Sequence, residues 1–140
     1  MKRSRLQVDY EYDFTLWALL SPMREYKLAW YLNQLLHIRL VKEKDIAFAF
    51  TNQPDLSISN YIFATENCLL RLLRNRSVSE AEQAFLLPEL KQFDYLLMLQ
   101  GEGGLFDHLD LVAVLQKIPT VDFVKPIEVE SLKSKENLIF

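Results

Sequence analysis

Two apolar runs, ISNYIFAT (residues 58–65) and CLLRLLR (68–74), stand only two residues apart. Glu66 and Asn67 fill the gap, and asparagine tolerates the positive φ that a tight two-residue turn demands. The pair is expected to form a β-hairpin, although CLLRLLR taken by itself also fits a helical repeat. Strands that follow one another through such short turns build a mainly antiparallel sheet.

The flanking segments extend this pattern. VDYEYDF (8–14) alternates strictly, with Val8, Tyr10, Tyr12 and Phe14 on one face and Asp9, Glu11 and Asp13 on the other, before TLWALL turns apolar on both. Ser21 and Pro22 then offer a capping hydroxyl and a first-turn proline to a long helix reaching about Ile38, with Leu28, Leu32, Leu35 and Leu36 as its apolar stripe. A charged link, RLVKEKD, leads to a short strand, IAFAF. Further on, Pro88 opens a single helical turn that delivers Phe93 to Leu99 as a fully buried strand. An amphipathic helix over LFDHLDLVAVLQKI (105–118) follows, with Leu105, Leu109, Val112 and Leu115 inward and Pro119 as its stop. The remainder reads as an extended piece and a short last helix. The expected architecture is α+β: a mainly antiparallel sheet of about five strands, a long first helix and one or two C-terminal helices. It forms one domain over 1–140, with 1–6 and 134–140 as candidate tails. Within the second tail, Leu138, Ile139 or Phe140 is expected to dock, because burying one such side chain is worth about 1.5–3 kcal/mol.

Half of the residues are hydrophobic, enough to offset the entropy of ordering a chain of this size. The net charge of −3 argues against nucleic acid as a partner, since phosphate neutralisation needs a basic face. MKRSR is followed by LQVDYEYD rather than by an apolar core, and no stretch is long and apolar enough to span a bilayer. A soluble cytoplasmic protein without membrane contact is expected. Cys68 is the single cysteine, with only His37 and His108 to join it, so neither a disulfide nor a zinc site is expected.

All three glycines, Gly101, Gly103 and Gly104, fall within four positions between a strand and a helix. That is the setting of a phosphate cradle, yet GEGG has the spacing of neither G-x-x-x-x-G-K-[ST] nor G-x-G-x-x-G, and Glu102, Asp107 and Asp110 would repel an anion. A chain reversal is expected, with positive φ at Gly103 or Gly104. The stripe Asp9, Glu11, Asp13 reads as a solvated strand face, the alternative being a surface that receives a basic partner or a cation. Arg71, Arg74 and Arg76 form the one compact basic group, an anion site or the wet face of a strand. Tyr26, Trp30, Asn33 and His37 lie at i, i+4, i+7 and i+11 on the first helix and share a stripe. They are the candidates for a ligand pocket or a subunit interface. No catalytic group, metal or cofactor is nominated.

Leu87, Pro88, Glu89, then LKQ, then Phe93, Asp94, Tyr95 resemble the signature of the bacterial IPExxxVDY family of uncharacterised proteins. Leu stands for Ile and Phe for Val, while Pro88, Glu89, Asp94 and Tyr95 match residue by residue. The acidic start, WYLNQ in the first helix and KSKENLIF at the end resemble the family in order as well. The resemblance implies a small soluble bacterial protein and no particular activity. Together these readings suggest a non-enzymatic domain that binds a protein partner or itself as a homodimer, the rival being a small-ligand binder or enzyme with its pocket beside Tyr26.

Overall fold

The computed structural model describes residues 13–49, 55–78, 84–101, 106 and 110–140. Six strands form one fully antiparallel sheet: β1 (Phe14–Leu20), β2 (Val41–Phe48), β3 (Leu56–Ala64), β4 (Cys68–Arg74), β5 (Tyr95–Gly101) and β6 (Phe123–Ile127). Their spatial order is β2-β3-β4-β5-β1-β6. Two α-helices, α1 (Glu25–Leu36) and α2 (Leu111–Leu115), and three 3-10 turns complete an α+β chain. The β3–β4 hairpin forms as expected. Its turn, however, closes through Thr65, whose N–H donates to the Cys68 carbonyl and whose hydroxyl accepts the Cys68 N–H, with no positive φ at Asn67.

The sheet is covered on both faces because its central strands are apolar on both. Trp17 and Leu19 of β1, with Tyr95 and Leu97 of β5, face α1 and α2. Leu16 and Ala18, with Leu96 and Met98, face the opposite way into a second core closed by Leu86, Leu87, Val129, Leu132 and Leu138. The helix α1 carries the chain from β1 to β2, four strand positions away. Its 12 residues rise about 18 Å, which matches the roughly 19 Å of four inter-strand spacings.

Several expectations need correction. The sheet has six strands rather than about five. The sixth, β6, contains Pro126, which argues against a ladder position, but β6 lies at the sheet edge, where a strand tolerates proline. The first helix is shorter than expected: Ser21 does not cap it, because its hydroxyl accepts the Met23 N–H and its own N–H is held by Asp94, so the cap falls at Arg24. Leu35, placed in the apolar stripe, is exposed, and the helix buries Leu28, Ala29, Leu32 and Leu36. Finally, VKEKD is strand rather than link. As an edge strand, β2 carries its charges into water and holds a bulge between Glu43 and Ile46.

In the expected 105–118 helix, α2 is a single short turn capped by the Asp110 carboxylate on the Ala113 N–H; Leu105 and Leu109 lie outside the described residues. The C-terminal segment forms 3-10 turns at Val129–Ser131 and Lys135–Leu138, and Leu138 is 1 % exposed. It docks, as its apolar ending required. Gly101 ends β5 with φ 109°, and a Cβ there would lie 2.1 Å from the Asn67 carbonyl oxygen, so glycine is demanded twice over. Gly103 and Gly104, with Asp9 and Glu11 of the acidic stripe and the residues 1–6, lie outside the described residues.

Candidate functional site

The stripe on α1 divides into two halves. Its N-terminal half is an exposed aromatic face, with Tyr26 59 % and Trp30 55 % exposed. Trp30 meets the neighbouring Tyr31 edge to face at 5.0 Å, and Tyr26, Lys27, Trp30 and Tyr31 line a shallow, mostly apolar depression of about 430 Å³. Its C-terminal half is structural. Asn33 accepts the Leu40 N–H at 2.7 Å and donates to the Leu40 carbonyl at 3.4 Å, so its amide fastens the end of α1 to the start of β2. His37 terminates the helix in the left-handed conformation, φ 55° and ψ 49°, with its N–H on the Asn33 carbonyl and its side chain in water. Lys27 and Tyr31 were missed because the four-residue stripe follows one row of the helix surface, whereas the depression straddles two adjacent rows.

The second candidate group, Leu87 to Tyr95, is a staple. Pro88 opens a 3-10 turn at Pro88–Leu90, where its missing N–H has no partner to lose. The Glu89 carboxylate accepts the Ser134 N–H at 2.8 Å, tying this turn to the C-terminal segment. Burial works against the charge of Glu89, but hydrogen bonds from Ser134, Glu89 and Lys133 outweigh it and hold the carboxyl below its ordinary pKa. The Asp94 carboxylate accepts the Ser21 N–H, while the Asp94 backbone donates to Leu19 and accepts from Asn75. The Tyr95 hydroxyl donates to the Met23 carbonyl; burial first, and the nearby Glu25 charge second, push its pKa up. Leu87 and Phe93 are buried in the second core.

At the centre of the staple sits Asn75, 0 % exposed. Its amide oxygen accepts the Leu87 N–H at 2.8 Å, and its amide nitrogen faces the carbonyls of Leu90 at 2.9 Å and of Leu87 and Phe93 at 3.3 Å. Sequence reasoning missed it, since an asparagine between two arginines reads as a turn residue. The chemistry of this arrangement is restraint of backbone: the side chains of Asn75, Glu89, Asp94 and Tyr95 are each engaged by a main-chain group.

The three arginines are dispersed. Arg71 and Arg74 point to opposite faces of β4 by alternation, and Arg76 lies over the Phe85 ring at 5.8 Å. Cys68 is buried. Among the described residues, no helix is long and apolar enough to cross a membrane. No protein-family model matches the chain, and a search of curated proteins finds no match.

Proposed function

We propose that this chain is a non-enzymatic interaction module of the bacterial cytoplasm, a divergent relative of the IPExxxVDY proteins, that binds a protein partner or a second copy of itself through the outer face of α1. The observation that carries this reading is the exposure of Tyr26 and Trp30 together on a helix whose other side is fully engaged with the core. Large aromatic side chains are enriched at protein interfaces and supply most of the binding energy there. The alternative, a small-ligand site in the same place, is favoured by the depression beside Tyr26, Lys27, Trp30 and Tyr31.

Light scattering on the full chain tests self-association. A mass of twice 16.5 kDa, reduced to that of the monomer by Trp30→Ala, is the expected result. A monomeric parent protein sinks the homodimer, and the small-ligand alternative then predicts that aromatic ligands quench Trp30 fluorescence, the other tryptophan, Trp17, being buried.

A further inference from the structure

Arg71 occupies an unusual place. Strand registers set it in one cross-sheet row with Val41, Ile62, Met98, Leu16 and Ile127, in which it is the single charged residue. It lies on the face turned away from α1. Among the described residues its Nη1 reaches only the Asn60 amide oxygen, at a long 3.4 Å, and the Phe140 ring covers the guanidinium at 5.0 Å from Cζ. Phe140 in turn packs against Phe48. The Nε atom is enclosed without a hydrogen-bond acceptor. Among the described residues the ion pairs are Lys42–Asp45 and Lys135–Glu130, so no carboxylate answers Arg71. Burial lowers its pKa and no neighbouring charge opposes the shift. A half-buried, uncompensated guanidinium is costly, and an anion that completes it recovers that cost.

The surroundings select the anion. One positive charge in an apolar row balances one negative charge; a phosphate dianion would bring an excess charge that nothing nearby neutralises. A carboxylate matches the planar fork of arginine. Around the fork, Ile62 is half-buried while Val41 and Phe140 are exposed, which offers apolar surface to the body of a ligand. We propose that this face binds an organic monocarboxylate, its oxygens on the Nη end of Arg71 and its apolar body against Ile62 and the Phe140 ring. The site is separate from the α1 face and stands whether or not α1 mediates association.

Sodium benzoate is the probe, with sodium acetate and inorganic phosphate at equal ionic strength as comparisons, on the full chain. Benzoate should raise the melting temperature saturably and shift the Arg71 Nε–H resonance, acetate and phosphate far less. Arg71→Met should weaken the apparent affinity by roughly tenfold or more, the loss of a charge-assisted pair. Arg71→Lys, which keeps the charge but not the fork, should fall between. An Nε resonance indifferent to benzoate in the parent protein overturns the proposal, as does a response equal in Arg71→Met, or phosphate binding more tightly than benzoate. The resonance is read in the unaltered chain, so the outcome does not depend on either variant folding.

Discussion

The carboxylate of Asp94 accepts the N–H of Ser21 at 2.8 Å, joining two segments 73 residues apart. It clamps the chain where β1 ends and α1 is about to begin, beside the strand that β1 pairs with. Asp94→Ala leaves the buried Ser21 N–H without its acceptor and should cost about 1–3 kcal/mol in urea unfolding. Asp94→Asn, which keeps an acceptor oxygen, should cost less; equal losses would show that the acceptor is not what matters.

Asn75 serves one N–H and three carbonyls at once, so its removal should be felt more widely. Asn75→Ala is expected to destabilise by roughly 2–4 kcal/mol, because several buried backbone groups lose their partner together. Asn75→Asp should be worse still at neutral pH, since a carboxylate cannot donate to the carbonyls it would face, and should recover partly as acid protonates it. Thermal melts of the two variants at neutral and acidic pH check the order.

Glu89 gives the fold a pH dependence of definite sign. Its pKa is depressed in the folded chain, so its stabilising contribution is present above the ordinary value of 4.5 and is lost as pH falls through the lower folded value. Stability measured across this acid range should decline less steeply in Glu89→Gln than in the parent chain. Identical acid limbs would show that the Ser134 contact is not linked to protonation.

His37 holds a left-handed conformation that costs a non-glycine residue about 1–2 kcal/mol, less whatever glycine loses in unfolded-state entropy. His37→Gly should therefore raise the melting temperature or leave it unchanged. A clear fall would show that the imidazole makes a stabilising contact.

The sequence disclosed what depends on near neighbours. The hairpin was readable because two residues between ISNYIFAT and CLLRLLR leave the chain no other economical course, and Pro88 announced its turn through its own backbone chemistry; the positive φ found at Gly101 was expected at Gly103 or Gly104 instead. What escaped depends on partners far along the chain. Ser21 looked like a helix cap, and only Asp94, distant in sequence, shows why it is not. Asn75 showed no sign of its role, because the segment it holds begins twelve residues further along the chain. Periodicity aligned Tyr26 with Trp30 but could not tell a covered row from an uncovered one. Pro126 and the charges of VKEKD spoke against strands that exist because they lie on the two edges of the sheet.

The position of β1 between β5 and β6 governs the order in which this protein can be completed. β1 leaves the ribosome first of the described strands, yet its two neighbours are the last two to be made. The β3–β4 hairpin can close on its own within microseconds, whereas β1 must await β5, complete only at Gly101, on one side and β6, complete only at Ile127, on the other. Through most of synthesis, Leu16 to Leu19, all buried in the finished molecule, have no lasting place to go. A nascent chain of this design carries its stickiest segment unprotected for longest, and its yield in a cell will depend on what shields that strand until the end.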